Sequence, residues 1–184
     1  MGISFRTVEV KFPELTTKEA PRLSPEELAR HNAVGKAESV RSRYPNRVIL
    51  AADTVVALGT SIFEKPVDRD QARFFLRELS GKTHVVITSL ALAHQKVGLI
   101  NRSTTTRVKF RRLSEAKIEK YLSKVEVLDK AGGYAIQQHG DWLIEEITGS
   151  ISNVIGLPVE TLSDLLRVYR QKQPNAILAT KHSA

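Results

Sequence analysis

The sequence predicts an α/β protein. Stretches with helical spacing of apolar residues alternate along the chain with short apolar or alternating runs. Several of the helical stretches open on recognisable caps. The 184 residues, 41% hydrophobic and 26% charged, are enough for one domain with a core of ordinary size.

Ser24-Pro25-Glu26-Glu27 reads as a capping box with proline at the first helical position, opening a helix to about Ser42. Ala33, Ala37 and Val40 are its apolar stripe. Arg47 to Leu58, RVILAADTVVAL, is an apolar run broken only by Asp53 and Thr54 after its first residue, and predicts a buried strand. Asp68 to Leu79 predicts a second helix, with Ala72, Phe75, Leu76 and Leu79 at helical spacing. His84 to Ala93 and the alternating Thr104 to Phe110 predict strands. Ser114 caps a third helix whose face is Ile118, Tyr121, Leu122 and Val125. Asp141 to Gly149 predicts another strand, and Val159 to about Arg170 a last helix. Residues 173–184 have no useful period and are expected to be a flexible tail to a domain over residues 1–172.

Gly81-Lys82-Thr83 has the ending of a phosphate-binding loop. Such a loop needs glycine five residues earlier, where Leu76 stands, and the order strand, loop, helix, so that helix amides face the phosphate. Here the order is helix, loop, strand, and the helix offers carbonyls, which repel phosphate. Gly81 reads as a helix stop.

The net charge of +8 suits phosphorylated ligands or nucleic acid. The alternation of Arg107, Lys109 and Arg111 with Val108 and Phe110 reads as the wet face of a strand. No recognised nucleic-acid motif accompanies it. There is no cysteine, which excludes disulfides and thiolate chemistry and fits a cytoplasmic protein. No apolar run is long enough to span a membrane, and MGISFRTVEVKF lacks the apolar centre of a signal peptide. The five histidines show no metal-binding spacing.

Asp53 is the most informative residue. A carboxylate inside so apolar a run is costly unless paired, hydrogen-bonded or metal-bound. Lys65 lies between Glu64 and Pro66, and the proline restricts it to extended geometry. Gly132-Gly133 lets backbone approach a ligand, and Gln137 comes shortly after with an amide that reads donors and acceptors together.

Four blocks, AADTVVAL, EKPVDRDQARFFLRELSGKTHVVITSLAL, DKAGGYAIQ and GSISNVIGLP, together resemble the Maf family of nucleoside triphosphate pyrophosphatases, in order and spacing, from about Ile3 to Val168. Their Ala-Asp-Thr and Tyr-Ala-Ile-Gln forms are similar to the branch acting on dTTP and UTP. The resemblance implies a mixed, twisted β-sheet with flanking helices (Maf/ITPase-like), two lobes around a nucleotide cleft, and hydrolysis between the α- and β-phosphates. It implies a divalent cation, Mg²⁺ or Mn²⁺, and suggests a homodimer. Carried over residue by residue, it makes Asp53 the catalytic base, Thr54 and Gln137 determinants of substrate choice, Lys36 and Lys65 substrate-binding lysines, and Glu14 a metal-site carboxylate. From the residues alone, Asp53 could equally accept a proton from water or hold the metal.

The family's Ser-x-Ser-Pro-Arg-Arg segment is not in the chain, and MGISFRTVEV is similar to the family's segment just after its first helix. The expectation is a sheet lacking the first strand and helix, and no arginine pair for the phosphates. A nucleotide-binding protein of this fold with impaired catalysis is the alternative that this departure raises. Glu64 stands where the family prefers glycine, and would weaken anion binding at Lys65 unless its carboxylate turns away.

Overall fold

The computed structural model describes residues 3–172. The expected tail, 173–184, lies outside the described residues. Five strands, β1 (Ile49–Leu58), β2 (Ser61–Phe63), β3 (Thr83–His94), β4 (Gly98–Phe110) and β5 (Ile144–Thr148), form one sheet in the order β2-β1-β3-β4-β5. The helices are α1 (Pro25–Arg41), α2 (Arg69–Leu79), α3 (Glu115–Leu122), the short α4 (Gly140–Leu143) and α5 (Ile151–Ile155), and α6 (Val159–Lys172).

The α/β class is as expected, but the sheet is not mixed: every pairing among the described residues is antiparallel. The connections impose this. Gly59, at φ 60°, lets Leu58 and Ser61 pair across a two-residue turn, so β2 reverses on β1. α2 then carries the chain back, and β3 enters antiparallel to β1. β2 covers only Val56 to Leu58, so the outer edge of residues 49–55 has no strand partner among the described residues.

The capping box forms as read: the Glu27 N–H donates to the Ser24 hydroxyl at 3.3 Å, and the Ser24 N–H donates to the Glu27 carboxylate at 2.8 Å. Asp68 caps α2 from outside rather than joining it, accepting from the Gln71 N–H at 2.7 Å. Gly81 is a helix stop, at φ 69° just beyond the end of α2. Lys82 pairs with Glu78, and Thr83 begins β3. Two expected elements differ in extent. β4 starts six residues before Thr104, because Gly98 to Ser103 pair fully with β3 despite lacking clean alternation. Asp141 to Leu143 are helical rather than extended, as the Trp142 N–H donates to the His139 carbonyl and its ring stacks on His139 at 4.2 Å. Only Ile144 onward is strand.

Successive residues of β1 point to opposite faces. On one face, α1 lays Ala33 and Ala37 against Ala91 and Ala93, and Leu28 and Ala29 against Val55 and Ile87. On the other, α2 and α3 cover a cluster including Val56, Val86, Val108 and Phe110, while α6 covers Leu90 and Leu92 with Leu162 and Leu165. Between those two clusters runs a polar row: Thr54, Thr88 and Thr104 are neighbours across β1, β3 and β4.

Candidate active site

Asp53 is the fifth of ten residues in β1, only 8% exposed, and points to the α1 face. Such a carboxylate must be compensated. One turn of α1 beyond Ala33, Lys36 reaches across and donates to Asp53 Oδ1 at 2.6 Å. The same ammonium lies 2.9 Å from Glu14 Oε1, and Glu14 Oε2 lies 3.6 Å from the Lys65 ammonium. The result is a chain of alternating charge, Asp53–Lys36–Glu14–Lys65, assembled from β1, α1, the segment before α1 and the loop after β2.

The protonation tendencies arise from burial and neighbours. Burial pushes the Asp53 carboxyl above its usual range; Lys36 opposes this without cancelling it, and Glu14 adds to it. Burial would lower Lys36, but the two carboxylates outweigh it and hold the ammonium firmly charged. Glu14 is held below the ordinary range, because Lys36 and Lys65 together exceed the effect of its partial burial.

Thr54 comes directly after Asp53 in sequence and therefore faces the other side of the sheet. Its hydroxyl lies 2.9 Å from that of Thr88, and Thr88 donates to the Asn153 carbonyl at 3.0 Å. A hydroxyl has one proton. That of Thr88 is committed to Asn153, so Thr54 donates to Thr88 and is left with lone pairs to offer. Asn153 is fully buried on α5, where its amide donates to the Val86 carbonyl and the Thr106 hydroxyl, both at 2.9 Å.

Gln137 lies exposed between Gly133 and α4. No hydrogen bond or ion pair among the described residues joins it to the charged chain. Its loop is tied to the same neighbourhood by backbone: the Gly132 N–H donates to the Glu64 carbonyl at 3.1 Å. Gly132, at φ 75°, brings its Cα against Val56, where a Cβ would meet the valine methyls at 3.0 and 3.1 Å.

Of the six expected residues, the structure therefore brings together Glu14, Lys36, Asp53 and Lys65, turns Thr54 to the opposite face and leaves Gln137 apart. Sequence reasoning missed Thr88, Asn153, Asn32 and the side-chain role of Glu64. Asn153 lies within GSISNVIGLP, where a polar residue flanked by Ile151, Val154 and Ile155 is a signal of burial. The Glu64 carboxylate turns away from Lys65, accepting from the Thr17 N–H at 3.0 Å and the Thr17 hydroxyl at 3.3 Å.

Among the described residues no three His, Asp or Glu side chains converge as a metal cage. Two carboxylates, Asp53 and Glu14, converge on Lys36 with lone pairs to spare. That donor set fits a hard cation such as Mg²⁺, which is bound through one or two carboxylates together with substrate phosphates and water. Among the described residues no helix is long and apolar enough to cross a membrane.

The family model described as Maf-like protein matches residues 1–169. The dTTP/UTP pyrophosphatase of Akkermansia muciniphila is 41% identical over 165 residues, 90% of this chain and 85% of that protein. That of Gloeobacter violaceus is 41% identical over 172 residues, 94% of this chain and 88% of its own. That of Chlamydia caviae is 47% identical over 135 residues, 73% of this chain and 68% of its own.

Proposed function

The chain belongs to the Maf family, and on that premise we propose that it hydrolyses dTTP and UTP to the nucleoside monophosphate and pyrophosphate, with Asp53 as the base. The observation that carries the reading is the buried Asp53 carboxylate held 2.6 Å from Lys36 in a chain of paired charges. The relatives named dTTP/UTP pyrophosphatase supply the substrate class.

In this reading Asp53 takes a proton from water as the water oxygen bonds to the α-phosphorus. The bond from that phosphorus to the oxygen bridging to the β-phosphorus breaks, and pyrophosphate leaves with the electron pair. A carboxyl raised by burial is a stronger base than a free aspartate. Lys36 and Lys65 neutralise charge on the phosphates. Glu14 would hold the divalent cation, which supplies Lewis acidity to the phosphoryl oxygens. Asp53 then returns its proton to solvent.

Base selection is assigned to Thr54 and Gln137. A Thr54 oxygen with only lone pairs to offer matches the N3–H of uracil and thymine and meets the bare N3 of cytosine with repulsion. Gln137 supplies a donor and an acceptor together. The substrates are free nucleotides rather than nucleic acid, and the setting is cytoplasmic, in keeping with the absence of cysteine. A homodimer is part of the same reading, and sedimentation tests it.

The decisive experiment is pyrophosphate release from dTTP, UTP, CTP, ATP and GTP with Mg²⁺ or Mn²⁺. Release is expected from dTTP and UTP, and Asp53→Asn is expected to lose at least about 10²-fold in kcat. Unchanged turnover in Asp53→Asn removes the base assignment, and release from none of the five removes the activity.

A further inference from the structure

Glu14 belongs to a segment without regular structure, from residue 3 to residue 16. A carboxylate on such a segment stays beside two lysines only if the backbone around it is pinned. Two buttresses do this. On one side, the buried Asn32 of α1 holds Leu15 doubly, accepting from its N–H at 2.9 Å and donating to its carbonyl at 3.1 Å. On the other side, the Glu64 carboxylate holds Thr17 doubly, through the N–H at 3.0 Å and the hydroxyl at 3.3 Å.

Glu64 does more than Asn32, because its backbone is also engaged. Its carbonyl accepts from the Gly132 N–H, fixing the start of the loop that carries Gln137. Its chain neighbour Lys65 is the outer cation of the charged chain. One residue thus joins the Glu14 segment, Lys65 and the Gln137 loop. An acidic side chain next to a phosphate-facing lysine would ordinarily compete for it. Here the carboxylate accepts from a peptide N–H and a hydroxyl, one on each oxygen, and the Lys65 ammonium pairs with Glu14 instead.

We propose that Glu64 is a positioning residue, whose side chain locks the Glu14 segment and whose backbone registers that segment against the Gln137 loop. This rests on the function proposed above, in which Glu14 and Gln137 meet opposite ends of one nucleotide. A carboxylate displaced by an ångström or so loses much of its value to the reaction, whereas the sheet beneath it is unaffected.

The test compares Glu64→Ala, Glu64→Gln and the parent chain. Glu64→Ala is expected to lower kcat for dTTP about tenfold without altering the unfolding midpoint appreciably. Glu64→Gln, which keeps an acceptor for the Thr17 N–H, is expected to lie within about twofold of the parent. Amide hydrogen exchange, measured without nucleotide, gives a readout independent of activity. In Glu64→Ala, exchange over Glu14 to Thr17 is expected to accelerate about tenfold or more, while β1 and β3 keep their protection. Unchanged exchange over Glu14 to Thr17, or no rescue by glutamine, overturns the proposal. Should the parent release no pyrophosphate, the functional reading fails on its own and the exchange measurement still decides whether Glu64 holds the segment.

Discussion

The Lys36 ammonium lies 2.6 Å from Asp53 and 2.9 Å from Glu14, so one cation serves two carboxylates that come from different parts of the chain. Lys36 is itself only 18% exposed, and its charge is what makes a buried carboxylate in mid-strand tolerable.

Lys36→Met therefore acts on chemistry as well as on binding. Lys36 pulls the Asp53 carboxyl down, against burial and against Glu14. With it gone, only the weaker pull of Lys65 opposes the two raising influences. The acid limb of the kcat/KM profile for dTTP is expected to move to higher pH, with turnover falling at neutral pH. Stability is expected to fall by about 2 kcal/mol, less than for a fully buried pair, because the unpaired Asp53 takes up a proton. An acid limb that stays in place would show that Lys36 does not govern Asp53.

Thr88→Val tests the hydroxyl relay. The valine cannot accept from Thr54, which is then free to donate a proton to a ligand. The UTP-to-CTP ratio of kcat/KM is expected to fall about tenfold, the equivalent of one hydrogen bond. The Asn153 carbonyl keeps the Gly156 N–H as a donor, so losing the Thr88 hydroxyl bond is expected to cost about 1 kcal/mol in urea denaturation. A destabilised variant with an unchanged ratio would separate Thr54 from base selection.

Gly132→Ala places a Cβ 3.0 Å from Val56 in a backbone conformation at φ 75° that alanine avoids. A loss of about 1–2 kcal/mol is expected from the backbone alone, read from denaturant midpoints. Because Gly132 anchors the loop that leads to Gln137, KM for dTTP is expected to rise in the same variant. A neutral outcome in both measurements would mean that the turn is not required.

His84 predicts a pH dependence of stability away from the site. It is buried among Phe110 and Tyr134, with Nε2 2.8 Å from the Tyr134 hydroxyl, and burial lowers its pKa from 6.5 to about 4. The folded protein thus resists protonation that the unfolded chain accepts. Above the unfolded value of 6.5 the residue costs nothing. As pH falls from 6.5 towards 4 the unfolded state alone gains the proton, and stability drops by up to about 3 kcal/mol. His84→Gln, which keeps a partner for Tyr134, is expected to flatten this slope in denaturation curves taken between those two pH values. An equally steep slope in the variant would assign the dependence to other groups.

Much of the fold was legible because its signals are local. The Ser24–Glu27 box, the helical spacing of Ala72, Phe75, Leu76 and Leu79, and the glycine after α2 each act over one or two turns of chain. Where prediction failed, the cause lay elsewhere in the chain. Gly98 to Ser103 become strand because β3 is there to pair with them. Trp142 joins a helical turn where His139 stacks on its ring and the Lys120 ammonium, from α3, lies over it.

The alternation of capped helices and apolar strands, the absence of a phosphate loop at Gly81 and the conspicuousness of Asp53 are all set by local residue order, since an isolated acid in an apolar run is costly in any fold. Which groups compensate that acid is set by folding. Lys36 is 17 residues away, and Glu14 and Lys65 lie on other segments. Folding also decides that Thr54 faces away from its neighbour Asp53 and lends its proton to Thr88, and that Glu64 turns from the adjacent Lys65 to hold Thr17. Side-chain direction in a strand, and the choice among hydrogen-bond partners in a loop, depend on what packs alongside, and those neighbours are brought in from distant parts of the chain.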